Sequence, residues 1–202
     1  MIVGFDFDNT IIDYTSSFIE LAKKKNLVPL KINKDKISIR NYLRDKNIEE
    51  QWTVLQGEVY GKNIMSAKIY KGVIDTFIYL SDKNFKIKII SHKTKFPYKG
   101  EKVNLRISAI EWIKKNILES YSNINLDLLD IHFEDSIEKK IEKIQKLNCD
   151  VFIDDLPEIL NLLPNNIQRI LFLPKIINQD YSKFYIMNSW KDFPNIINLK
   201  NE

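Results

Sequence analysis

The sequence is poor in the residues that staple or anchor a chain. Among its 202 residues there is one cysteine, Cys149, which excludes an intrachain disulfide and fits a reducing compartment. The two histidines, His92 and His132, are far apart in sequence, and neither offers the start of a His-based metal site. No apolar run approaches membrane-spanning length, and no basic leader precedes the first apolar stretch, so the expectation is a cytoplasmic protein with no membrane partner. Neither sign of charge dominates: 31 basic against 27 acidic residues leave a net charge of +4, with lysines scattered along the chain. That balance favours small anionic ligands and argues against nucleic acid. Repeats and low-complexity segments are absent as well.

What is present is an alternation of strands and helices. Ile2 to Phe5 is an apolar run without helical spacing and reads as a buried parallel strand. An amphipathic helix is expected from Ile12 to Lys25, short helical pieces over 37–64, and a longer helix from Ser66 with Ile69, Val73, Phe77 and Leu80 on one face. Further strands are expected at Phe85–Ile90, Leu128–Phe133, Val151–Ile153 and Ile170–Leu173, with an edge strand at Tyr185–Met187. Helices between them, over 103–116, 136–147 and 156–163, imply a parallel sheet with right-handed crossovers. Trp52, Tyr60 and Trp112 read as packing residues and His132 as a structural strand residue.

Three of these strands end in polar residues that suit one task. The first runs into Asp6-Phe7-Asp8-Asn9-Thr10, the second into Ser91, and the fourth into Asp154-Asp155. In an open α/β sheet the carboxyl ends of the strands are where ligands bind. Asp6 and Asp8 point the same way along an extended chain, with Phe7 turned inward. Their repulsion is relieved most simply by a divalent cation with oxygen ligands, Mg²⁺ being the usual one. Each element also has a plainer reading. Asp8, Asn9 or Thr10 can cap a helix, as can Ser91 or the acidic pair before Leu156, and the Lys139, Lys140 and Lys143 cluster can be a solvated helix face.

FDFDNT at 5–10, KIIS at 88–91, the lysine cluster at 139–143 and VFIDD at 151–155 occur in an order that resembles the haloacid dehalogenase (HAD) superfamily of phosphotransferases. The SHKT segment at 91–94 and FIDDLPE at 152–158 resemble a bacterial subgroup associated with surface-polysaccharide gene clusters. The resemblance implies a Rossmann-like α/β core over residues 1–13 and 66–202, with a small helical cap, 14–65, inserted after the first strand. It implies Asp6 as nucleophile and Asp8 as general acid and base. Asp6, Asp154, Asp155 and the backbone carbonyl of Asp8 would hold Mg²⁺. Ser91, with His92 beside it, and Lys140 (Lys139 the runner-up) would hold the phosphoryl group, and Asn9 and Thr10 would turn backbone N–H groups toward it.

The chain between the first two strands exceeds what one crossover helix needs by about 50 residues, a crossover taking a dozen or more. A cap there would exclude water and select a small phosphomonoester. The loop 92–100, with Lys93, Lys95, Tyr98 and Lys99, is a second expected selector, drawing extra negative charge on the substrate; the alternative is solvated loop charge. The activity expected is phosphatase action on a phosphorylated sugar, amino alcohol or sugar-nucleotide conjugate. A phosphosugar mutase, or a non-catalytic or nucleic-acid-binding module on the same fold, are the competing readings.

Overall fold

The computed structural model describes residues 1–33, 35–121, 125–175 and 179–198. Its centre is β1 (Ile2–Phe5), a strand buried on both faces, which is why it reads as an unbroken apolar run. A tight turn leads to β2 (Ile12–Asp13), followed by three helices, α1 (Thr15–Lys24), α2 (Lys36–Asp45) and α3 (Glu49–Tyr60), packed on one another. The chain returns through β3 (Lys68–Ile69), α4 (Val73–Asp82) and β4 (Lys86–His92). Then come α5 (Leu105–Ile113), β5 (Leu129–Glu134), α6 (Ile137–Lys146), β6 (Val151–Asp154), α7 (Pro157–Asn161), β7 (Gln168–Phe172), β8 (Tyr185–Met187) and α8 (Phe193–Asn198).

Six strands form one parallel sheet in the order β5-β4-β1-β6-β7-β8. Alternate residues feed two cores. Phe5, Ile89 and Ile153 join Phe77, Trp190 and Phe193 on one face, while Ile90, Phe152 and Leu171 join Ile144 and Leu160 on the other. No described helix is long and apolar enough to cross a membrane.

Two expected helix starts move. Ile12 pairs with Ile69, and Asp13 with Lys68, in a two-stranded antiparallel ribbon. The first helix therefore begins at Thr15, whose N–H donates to the Asp13 carboxylate at 2.8 Å. The helix expected from Ser66 begins at Val73, because the backbone at Ile69 and Tyr70 is engaged with Ile12 and Ile11. Residues 37–64 hold two well-formed helices; Asp35 caps α2 by accepting from the Ser38 N–H at 2.7 Å.

Register fixes where the polar ends meet. Phe5 sits opposite both Ile89 and Ile153, and the Asp6 N–H donates to the Ile153 carbonyl at 2.8 Å. Asp6 and Asp154 are thereby neighbours at one sheet edge. Ser91 lies two residues past Ile89, inside β4 and not after it. The closeness of β1 and β6 depends on Gly4: a Cβ there would sit 2.5 Å from the Phe152 ring. Because Phe152 is fully buried and cannot swing away, Gly4→Ala should cost about 1–3 kcal/mol of overpacking. Urea denaturation monitored by circular dichroism checks this; wild-type stability in the variant would show that the strands can separate freely.

Candidate active site

The turn after β1 is built to present carboxylates. Phe7 is fully buried, edge-on to Trp112 at 5.7 Å and to Phe133 at 5.9 Å, which turns Asp6 and Asp8 to the opposite side. The Ile11 and Ile12 N–H groups both donate to the Phe7 carbonyl, closing the turn. Asn9 adopts φ 59°, a left-handed conformation that asparagine tolerates better than most residues. Trp190 holds the turn from below, its indole N–H donating to the Thr10 carbonyl at 3.2 Å.

Lys140 lies at the centre of the acidic group. Its ammonium is 2.6 Å from Asp6 Oδ1 and 2.6 Å from Asp154 Oδ2, and the residue is 2% exposed. Ser136 caps α6 by accepting from the Lys139 N–H, and the helix phase then turns Lys140 inward while Lys139 reaches Asp135 on the surface at 3.7 Å. Phe152 lies under the ammonium at 5.5 Å from its ring centre. Burial opposes the lysine's charge, but Asp6 and Asp154 outweigh it and hold its pKa above the ordinary lysine value.

The carboxylates of Asp6, Asp154 and Asp155 offer oxygens within 4.8 Å of one another. Asp154 also accepts from the Leu156 N–H at 3.0 Å. Burial pushes the Asp154 carboxyl up to about 7 against the pull of Lys140. Burial, then Asp6 and Asp154, holds Asp155 well above the usual carboxylate range.

Asp8 stands apart from this trio. Tyr14 donates its hydroxyl to Asp8 Oδ1 at 2.6 Å, and the Lys93 ammonium reaches both oxygens at 2.8 and 3.0 Å. Burial foremost, and Asp8 next, keep the Tyr14 hydroxyl protonated and therefore a donor. Lys93 is 4% exposed and faces the rings of Tyr60 at 5.2 Å and Phe7 at 5.6 Å. Expected as a loop cation, it is instead a wall of the site, because Arg106 donates to its carbonyl at 2.8 Å and fixes the chain there.

The other expected residues fall as follows. Ser91 is buried at the end of β4, one residue before His92. His92 donates a ring N–H to the Asp135 carbonyl at 3.1 Å. Lys99 pairs with Glu50 of α3 at 2.7 Å, Lys95 lies over the Phe96 ring at 5.5 Å, and Tyr98 is exposed. The Asn9 N–H is committed to the Ile12 carbonyl at 2.9 Å, so the turn itself uses the donor assigned to phosphate. Thr10 is fully buried, its hydroxyl without a partner among the described residues.

Two cavities flank the carboxylates. One, of about 410 Å³, is bordered by Asp8, Lys93, His92, Gln56 and Tyr60. The other, of about 380 Å³, is bordered by Asn9, Asp155, Lys36, Arg40 and Trp52. Sequence reasoning missed Tyr14, Lys36 and Arg40. Tyr14 carries no motif, Lys36 falls just before the helical pieces expected over 37–64, and Arg40 looks like the solvent face of one of them.

No family model matches the chain. A protein of Oceanobacillus iheyensis named "Putative nucleotidase" is 24% identical over 198 residues, covering 94% of this chain and 95% of that one. A predicted phosphatase from Clostridium acetobutylicum shares the fold with a TM-score of 0.59 and 17% identity, over 97% of each chain. A Bacillus subtilis HAD-hydrolase bound to magnesium gives a TM-score of 0.59 and 12% identity over 98% of each. A Had-superfamily hydrolase from Ehrlichia chaffeensis gives 0.53 and 17%, over 99% of this chain and 97% of that one.

Three converging carboxylates against one ammonium make a donor set that fits Mg²⁺, a cation that takes oxygen ligands. The folded pKa of Asp154, about 7, lies above its ordinary 3.8. The stability this group carries in metal-free protein is therefore complete below about pH 4 and is lost as pH rises through 7. A Mg²⁺ ion held by the ionised cluster would counter that loss. In thermal melts, the gain in Tm from Mg²⁺ over EDTA should be larger at pH 8 than at pH 5.5. An equal or absent gain would overturn the assignment of the trio as a cation site.

Proposed function

We propose that this chain, whose fold is that of the haloacid dehalogenase superfamily of hydrolases, is a Mg²⁺-dependent phosphatase that acts on a small phosphomonoester through an aspartyl-phosphate on Asp6. The observation that carries the reading is the Lys140 ammonium bridging Asp6 and Asp154, with Asp155 beside them.

Asp6, Asp154, Asp155 and the backbone carbonyl of Asp8 would hold Mg²⁺, which when bound neutralises phosphoryl oxygens and lets one anion approach another. The Asp6 carboxylate attacks phosphorus as the bond to the leaving oxygen breaks. Asp8 gives its proton to that oxygen, then takes one from the water that attacks the phospho-Asp6. The P–O bond to Asp6 breaks, releasing phosphate and restoring the carboxylate. Lys140 and Ser91 hold the equatorial oxygens. Tyr14 and Lys93 keep Asp8 aimed at the leaving group. The 410 Å³ cavity beside Asp8 is where that leaving group would lie. We take residues 14–65 as a cap that excludes water, with α3 as its inner wall.

The substrate is a small phosphorylated molecule. The Oceanobacillus iheyensis relative, by its name, points to nucleotides, and the SHKT and FIDDLPE resemblance to sugar phosphates and their conjugates in surface-polysaccharide assembly. Phosphate release should be screened over both classes with Mg²⁺ present. Turnover should vanish with EDTA and return when Mg²⁺ is restored. Asp6→Asn should abolish turnover, and Asp8→Asn should slow it by roughly 10²–10⁴-fold. A wild-type rate in Asp6→Asn would overturn the mechanism.

A further inference from the structure

The cavity on the Asn9 and Asp155 side is lined by the Arg40 guanidinium, whose Nε is buried without a hydrogen-bond partner among the described residues. The other arginines are engaged: Arg44 with Glu49, Arg106 with Asp135, and Arg169 over the Phe184 ring. A desolvated N–H without an acceptor is costly, and the cost falls when a ligand supplies the acceptor.

The surroundings indicate the charge of that ligand. Lys36 lies four residues before Arg40 and therefore on the same face of α2, and it lines the same cavity. Its ammonium donates to the Tyr60 hydroxyl at 2.7 Å and faces the Phe18 and Tyr60 rings at 5.0 and 5.4 Å. It thus stays in place with no carboxylate paired to it among the described residues. Asp35 also borders the cavity, but both its oxygens accept from Ser38, from the N–H and the hydroxyl, each at 2.7 Å. Trp52 and Tyr70 give the cavity aromatic walls that suit the body of a small organic molecule. Meanwhile Lys93 is paired with Asp8 and Lys99 with Glu50, so the loop expected to read substrate charge has two of its cations already neutralised.

We propose that Arg40, supported by Lys36, forms an anion subsite that recognises a second negatively charged group, a carboxylate or a second phosphate, on the phosphomonoester substrate. The inference rests on the phosphatase reading for the identity of the bound molecule, since the cavity borders Asn9 and Asp155 at the reacting end. A guanidinium fork matches either anion through two parallel hydrogen bonds.

Binding without turnover separates this inference from the catalytic reading. Phosphonates keep the phosphoryl dianion on a C–P bond that a phosphatase does not cleave. In calorimetry with Mg²⁺ present, ω-carboxyalkylphosphonates of two to four methylenes are compared with alkylphosphonates of the same length, and α,ω-bisphosphonates form a parallel arm. At the best length the second anion should tighten binding about 10- to 100-fold, as hydrogen bonds to a charged group do. The arm with the larger gain identifies the second group as carboxylate or phosphate. Arg40→Met should bring the charged-to-uncharged affinity ratio close to one, and Arg40→Lys should restore part of it. Using a ratio cancels any general loss of folded protein. No gain at any length, or a gain that survives Arg40→Met, overturns the subsite; a gain in a protein that releases no phosphate from any monoester would keep the subsite and overturn the phosphatase reading.

Discussion

A buried ammonium between two buried carboxylates is the constraint the rest of this structure serves. Lys140 comes from a helix and Asp6 and Asp154 from two adjacent strands, and the three converge within 2.6 Å contacts. Desolvating three such charges is expensive, and the arrangement survives only because the geometry is close to ideal. That geometry has visible supports. Gly4 lets β1 and β6 close on the Phe152 ring, Phe152 underlies the ammonium, and the Ser136 cap sets the phase of α6. Asp155 stands beside them as a third acid. The three carboxylates offer oxygens close enough together to hold a cation.

The second carboxylate of the first strand turn, Asp8, has a separate set of partners. Tyr14 and Lys93 bring it contacts from the ribbon end of the helical insertion and from the end of β4. The insertion also grips the 92–101 segment directly. Gly57 of α3 lies so near Pro97 that a Cβ would approach the proline to 2.7 Å, and Lys99–Glu50 and Lys62–Glu101 ion pairs flank that contact. The inner face of α3 thereby separates two cavities, with Gln56 and Tyr60 toward Asp8 and Trp52 toward Asp155. One side lies beside Asp8 and the other is lined by Lys36 and Arg40. Both consequences trace to where three helices sit, not to any catalytic motif.

Much of this was legible in the residue order. The apolar runs at Ile2–Phe5, Val151–Ile153 and the end of β4 announce strands buried on both faces, and each is followed at once by an acid or hydroxyl. Hydrophobic burial fixes such strands whatever surrounds them, and a parallel sheet brings their carboxyl ends to one edge. Asp6, Asp8, Ser91 and Asp154-Asp155 therefore gather at one edge by local pattern alone. The family resemblance, not the residue order, implies Lys140 with Lys139 as runner-up; helical phase turns Lys140 inward and leaves Lys139 with Asp135 on the surface.

What the residue order left open depends on contacts between distant segments. Ile12 and Ile69 have apolar character suited to either helix or strand, and only their mutual pairing decides for strand. Lys93 reads as one more loop lysine until the backbone is pinned by Arg106 and the side chain meets Asp8. Arg40 reads as the wet side of a polar helix, and Lys36 as part of the connection before it, until α2 packs with both over a cavity. The sequence by itself determined the sheet and the strand-end acids, because burial and periodicity act on neighbours in the chain; it left open which lysine of 139–143 would join them. The tertiary structure alone decided which cations are paired with a carboxylate and which, among the described residues, are not, because that depends on partners dozens of residues away.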